Sequence, residues 1–209
     1  MKYLVELIGT FFLVLVIGLT VIEPGATLFA PIAIGLTLMV MVYAGGHISG
    51  GHYNPAVTLA VWMRGKCDTK DVFPYMVTQL IGGVLAAWTV LFFKPGAVVT
   101  PMVPDMWRAL LNEFLFTFAL AYVVLNTATS KKNAGNSYYG LAIGCTVVAA
   151  AFAGGGISGG AYNPAVAVGI TTMGLSSVGN IWIFLVGNLL GGALAATIYK
   201  MVNPDEYKS

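Results

Sequence analysis

AGGHISGGHYNPAV, residues 44–57, and AGGGISGGAYNPAV, residues 153–166, differ only at His47/Gly156 and His52/Ala161. The two copies lie 109 positions apart (163 − 54), and the register continues without a gap. QLIGGVLAA at Gln79–Ala87 meets NLLGGALAA at Asn188–Ala196, and Ala33-Ile34-Gly35 meets Ala142-Ile143-Gly144. Glu6 and Thr10 match Glu113 and Thr117 at a slightly shorter offset. The chain is therefore a tandem repeat, with copies over residues 1–95 and 105–205 of a single 1–209 domain.

Around these motifs the composition is that of a membrane protein. Of 209 residues, 58% are hydrophobic and 9% charged, and the mean hydropathy is +0.85. Soluble domains carry roughly 25% charged residues. Apolar runs near the ~20 residues that cross a bilayer predict spans at Tyr3–Ile22, Leu28–Tyr43, Val72–Phe93, Trp107–Thr127, Tyr139–Phe152 and Val178–Met201. The first run has neither a basic leader nor a small-residue cleavage site, so it reads as a retained span. Three spans per repeat is an odd number, so the second copy starts from the opposite side of the membrane and the halves form an inverted repeat. If the N-terminus is cytoplasmic, Lys2, Arg64, Lys66, Lys70, Lys131, Lys132, Lys200 and Lys208 fall inside and only Lys94 and Arg108 outside. This bias favours both termini in the cytoplasm. The net charge of +2 gives no reason to expect a nucleic-acid partner. Cys67 lies in a joint and Cys145 in a span, so neither a disulfide nor a metal framework is expected.

Between the second and third spans of each repeat lies a stretch too short to cross. NPAVTLAVWMR (Asn54–Arg64) and NPAVAVGITTM (Asn163–Met173) each reach about 16 Å as a helix, roughly half of the hydrocarbon core. Asn followed by Pro is a helix start, because Asn caps free N–H groups and Pro at the first turn loses no hydrogen bond. Inverted symmetry brings the two starts together at mid-membrane, each with about half a positive charge from its helix dipole. Capping uses the side-chain oxygens of Asn54 and Asn163 and leaves their amide NH2 groups to donate into a pore. The glycines before them (Gly45, Gly46, Gly50 and Gly51; Gly154, Gly155, Gly156, Gly159 and Gly160) suit an extended chain whose carbonyls line a water-filled path. Gly82-Gly83 and Gly191-Gly192 would let spans pack closely around it.

Paired Asn-Pro-Ala signatures at Asn54, Pro55, Ala56 and Asn163, Pro164, Ala165, the SGG run before each, the Glu6/Thr10 and Glu113/Thr117 pairs, and Gln79 with Asn188 together resemble the aquaporins. The resemblance covers essentially the whole chain. It implies an all-α membrane fold of six spans plus two re-entrant half-helices in an hourglass, assembled as a homotetramer in the lipid bilayer, with one pore per subunit for water and small neutral solutes and no cofactor. It assigns Glu6 and Glu113 to accept hydrogen bonds from N–H groups of the re-entrant segments. It makes Gly50, Gly51, His52 and Gly159 pore-lining. It also carries the selectivity positions onto Ile34, Ala151, Gly160 and Val166. Most aquaporins have Arg where Val166 stands. Val there resembles some plant vacuolar aquaporins, associated with water together with urea or ammonia, whereas a typical glycerol facilitator has an Arg-Asp pair in place of Val166-Ala167. His52 has Ala161 as its repeat mate and reads either as a cytoplasmic pH sensor or as a neutral pore-mouth histidine bonded to a nearby carbonyl.

Inverted repeats with broken helices also build secondary transporters, but these need ion-coupling carboxylates and the sequence shows no such cluster. An adhesion role on the same scaffold would give membrane stacking without permeability. An enzyme would need a nucleophile–base pair or metal cluster, and none is visible.

Overall fold

The computed structural model describes residues 1–207; Lys208, counted above among the cytoplasmic charges, lies outside the described residues. Six helices are long and apolar enough to cross a membrane. They are α1 (Lys2–Val21), α2 (Ala30–Ser49), α4 (Thr69–Phe93), α5 (Met106–Val124, continued by a π-helical turn Leu125–Thr129), α6 (Tyr139–Ser158) and α8 (Ile181–Val202). Two nine-residue helices, α3 (Pro55–Met63) and α7 (Pro164–Thr172), sit where the half-helices were expected. At 1.5 Å per residue each is about 14 Å long, too short to cross.

The sequence reading placed the ends of α2 and α6 too early. Both helices run through the glycines to Ser49 and Ser158, so Gly45, Gly46, Gly154, Gly155 and Gly156 are helical. The extended segments are confined to residues 50–54 and 159–163. Close packing explains two of these helical glycines. A methyl group built at Gly45 would lie 2.1 Å from Tyr53 Oη, and one at Gly154 would lie 2.4 Å from Tyr162 Oη.

Small residues set the remaining crossings. A methyl group at Gly35 would lie 2.5 Å from the Gly144 carbonyl oxygen, and one at Gly144 the same distance from that of Gly35, so α2 and α6 touch backbone to backbone. Gly83 on α4 faces the Ala165 carbonyl at 2.6 Å, and Gly192 on α8 faces that of Ala56 at 2.5 Å. Each long helix thus seats the short helix of the other half.

One joint has no counterpart. Arg64, at the end of α3, is buried against Glu206 of the C-terminal 3₁₀ turn (Pro204–Tyr207) and lies between the rings of Tyr199 and Tyr207, 4.9 and 4.6 Å from their centroids. Its repeat mate is Met173. Glu206 also accepts from the Ser130 hydroxyl (2.7 Å) and the Lys131 N–H (2.8 Å). These donors, with the Arg64 charge, hold its carboxyl below the usual carboxylate range.

Two outcomes follow from this packing. Gly83→Ala overpacks the seat of α7 and should destabilise by about 1–3 kcal/mol. Gly156→Ala, with nothing within 4 Å of the new methyl, should change stability by no more than about 1 kcal/mol; thermal unfolding in detergent separates them. Because the carboxyl of Glu206 is depressed, its contribution is present above its unfolded value of about 4.3 and is lost as pH falls through the folded value. Glu206→Gln should therefore lower the melting temperature near neutral pH, and the gap to the parent protein should shrink below about pH 4.

Candidate functional site: a lined path through the membrane

The extended segments are held by buried carboxylates. Glu6 Oε1 accepts from Ser49 Oγ (2.7 Å) and the His52 N–H (3.0 Å), and Oε2 from the Tyr53 N–H (2.6 Å) and Gln79 Nε2 (2.7 Å). Glu113 repeats the pattern with Ser158 Oγ (2.6 Å), the Ala161 N–H (3.0 Å) and the Tyr162 N–H (2.7 Å). The same serines accept from the Gly51 and Gly160 N–H groups, both at 3.1 Å. Carboxylates, which only accept, suit a stretch of unpaired donors.

The chain reverses through left-handed backbone at Gly50, Gly51, Gly159 and Gly160 and, without glycine's freedom, at Tyr53 (φ 48°) and Tyr162 (φ 50°). Such a conformation costs a non-glycine residue on the order of 1–3 kcal/mol. Each tyrosine is pinned at both ends: its N–H goes to a carboxylate, and its hydroxyl donates to Met41 O or Ala150 O at 2.9 Å. Among the described residues no donor reaches the carbonyls of Gly50, Gly51 and His52, or those of Gly159, Gly160 and Ala161.

The two asparagines meet across the centre. Asn54 Oδ1 caps the Ala56 and Val57 N–H groups, and Asn163 Oδ1 caps those of Ala165 and Val166. Asn54 Nδ2 donates to Tyr162 O (2.9 Å) and Asn163 Nδ2 to Tyr53 O (2.8 Å), so each half-helix start is tied to the other half. The expectation of wholly free NH2 groups is corrected here: one hydrogen of each amide is used in the tie, and the second remains.

Both asparagines line a cavity of about 340 Å³ that also takes in Ile34, Ala151, Gly160 and Val166. Gly51, His52 and Gly159 line the same cavity, and Gly50 does not. Gly50 caps α2 in left-handed backbone, its N–H bonded to Gly46 O. Glu6 and Glu113 stand behind the wall as supports, and Pro55, Ala56, Pro164 and Ala165 are buried in the short helices. The wall is apolar and paired: Leu13 with Leu120, Ile17 with Val124, Ile34 with Ile143, and Val57 with Val166. A second, polar hollow of about 230 Å³ opens on the face that carries the start of α1 and the end of α3, lined by Lys2, Ser49, His52, Lys66, Cys67, Asp68, Asp71 and Tyr75.

His52 is buried, and its Nδ1 lies 3.1 Å from Thr58 Oγ1, a hydroxyl and not the carbonyl expected. Sequence reasoning passed over Thr58, the serines Ser49 and Ser158 and the tyrosines Tyr53 and Tyr162. For the last four, their presence in both ISGG…YNPAV copies was the available signal.

A family model described as Major intrinsic protein matches residues 1–199. Aquaporin NIP1-1 of Oryza sativa subsp. japonica is 36% identical over 214 residues, spanning 96% of this chain and 74% of the relative. The Glycerol uptake facilitator protein-like 6 of Lactiplantibacillus plantarum is 33% identical over 216 residues, spanning 98% and 99%, although Val166-Ala167 lacks the Arg-Asp pair of a typical glycerol facilitator. The aquaglyceroporin from Plasmodium falciparum shares the fold with a TM-score of 0.80 at 20% sequence identity, over 98% of this chain and 97% of that one. With the paired motifs, the six spans and a family match over nearly its whole length, this chain belongs to the major intrinsic protein family.

Proposed function

We propose that the chain is a passive pore for water and small uncharged solutes, with Asn54 and Asn163 at its midpoint and Ile34, Ala151, Gly160 and Val166 as its filter. The reading rests above all on the reciprocal ties between the asparagines and the opposite tyrosine carbonyls, which leave one amide hydrogen of each asparagine at the edge of a lined cavity. A water oxygen that accepts from these donors must turn its own hydrogens outward, toward both mouths. The uniformly oriented file that proton hopping needs is broken there, and two positive helix ends raise a barrier to cations; this is the logic general to aquaporin-type pores.

Away from the midpoint, glycine and alanine residues whose carbonyls meet no donor among the described residues share the cavity lining with aliphatic side chains. Such a path suits a molecule with one polar and one apolar edge. Val166 offers neither charge nor donor where Arg would present five N–H groups. The filter is therefore wide and unselective by charge, and urea, ammonia and glycerol fit it as well as water. The two relatives named for an aquaporin and for glycerol uptake agree with that range. By the same reading the inverted repeats 1–95 and 105–205 build one pore per subunit of a homotetramer, and the face bearing the chain ends is cytoplasmic.

The test is stopped-flow light scattering on proteoliposomes. Water flux should be non-saturating and of low activation energy; saturable uptake coupled to a sodium or proton gradient would instead identify a transporter. Val166→Arg should lower the urea-to-water permeability ratio by about tenfold, the effect of about 1.4 kcal/mol added to the solute barrier. An unchanged ratio would remove position 166 from the filter. Asn163→Asp places a negative charge against two positive helix ends and should admit cations that the parent excludes; a cation leak equal to that of the parent would displace the central constriction from this site.

A further inference from the structure

The two halves brace their short helices differently. In the first, Gln79 Nε2 donates to Glu6 Oε2 (2.7 Å) and to Thr58 Oγ1 (2.9 Å), and the Thr58 hydroxyl donates to Asn54 O (3.1 Å), which also accepts the Thr58 N–H. One hydroxyl thus links the amide that holds the carboxylate to the backbone of the capping asparagine. In the second half, 109 positions on, Asn188 stands for Gln79 and Ala167 for Thr58.

The second half lacks that link but keeps the groups that it would join. Asn188 is fully buried; its Oδ1 accepts from Thr117 Oγ1 (2.9 Å), which turns Nδ2 the other way, and Nδ2 finds no partner among the described residues. Gln79 Oε1 has no donor either, so what sets the halves apart is the amide nitrogen. Glu113 Oε2 accepts from the Tyr162 N–H alone, where Glu6 Oε2 accepts from two donors. Asn163 O accepts the Ala167 N–H (2.9 Å) and, unlike Asn54 O, no hydroxyl. Relative to the first half, the hydroxyl oxygen and methyl of a threonine and one methylene of a glutamine are gone from this spot. Ala161 in place of His52 removes a ring as well, the one whose Nδ1 lies 3.1 Å from Thr58 Oγ1.

We propose that a single water molecule binds here in the role of the Thr58 hydroxyl, accepting from Asn188 Nδ2 and donating one hydrogen to Asn163 O and the other to Glu113 Oε2. Buried waters typically make about three hydrogen bonds, to polar groups that would otherwise be unpaired. The donor pattern selects a neutral molecule. A cation would meet the amide hydrogens of Asn188 and an anion would meet Glu113, whereas water brings one lone pair and two hydrogens to match. With it, Glu113 gains the fourth donor that Glu6 takes from Gln79. Gly160 and Val166, assigned above to the filter, belong to this half, so their support includes solvent where that of Asn54 is all protein. The inference goes beyond the channel reading and does not depend on what the pore conducts.

Two measurements test it. In a crystal structure of the parent that orders solvent, one water oxygen should lie about 2.7–3.2 Å from Asn188 Nδ2, Asn163 O and Glu113 Oε2. In Ala167→Thr the new hydroxyl should take its place and the density should vanish. Ordered solvent elsewhere with none at this spot, or a parent Asn188 amide bonded directly to a protein oxygen, overturns the proposal, as does a water that persists beside the new hydroxyl. The second measurement is thermal unfolding in detergent in a Thr117→Val background, which removes the other partner of Asn188. If Nδ2 is dry, adding Asn188→Leu replaces an unpaired buried amide with an apolar group of the same shape and leaves the melting temperature equal or higher. With water bound, the same change strands the water and loosens Glu113, and the melting temperature should fall by several degrees. An equal or higher value overturns the proposal whether or not the protein conducts.

Discussion

A polypeptide that stops being helical at the middle of a bilayer must find partners for the N–H groups it frees, because no lipid can supply them. Glu6 and Glu113 meet that demand. Each is buried in a long helix, accepts two backbone N–H groups from an extended segment, and is joined by a serine that takes a third. With the donors turned into the protein, the carbonyls of the same residues are left for the path. Hydrogen bonds to a charged acceptor are worth roughly 1.5–3 kcal/mol each, enough to offset the left-handed strain at Tyr53 and Tyr162.

Once the segments are fixed, the asparagines follow. An Asn that caps its own helix through Oδ1 has its NH2 group aimed away from that helix, and here one hydrogen of each reaches the opposite tyrosine carbonyl. The two half-helices are therefore mutually registered, and neither asparagine can turn without loosening the other half. Gly83 and Gly192 complete the arrangement by letting α4 and α8 approach the backbones of α7 and α3. Carboxylates, asparagines and glycines thus act as one construction, repeated once.

Most of this was legible because the chain states it twice. The doubled NPAV run marked two helix starts, the hydropathy marked six spans, and the paired glutamates pointed to a shared structural task. What misled was the glycine-rich composition of residues 44–51 and 153–160, which suggested extended chain. Packing of the helices against those segments accounts for the glycines instead: at Gly45 and Gly154, which stay helical, only a hydrogen fits beside the hydroxyls of Tyr53 and Tyr162. The Arg64–Glu206 joint could not be read at all, since its partners lie 142 residues apart and one copy of the repeat lacks it.

The central claim is that water crosses between Asn54 and Asn163. A crystal structure in lipid at a resolution that orders solvent tests it most directly. The expected result is water-oxygen density about 2.7–3.2 Å from Nδ2 of both residues, continuous with density toward each mouth. A dry midpoint, or a side chain filling the space between the two amides, would contradict it.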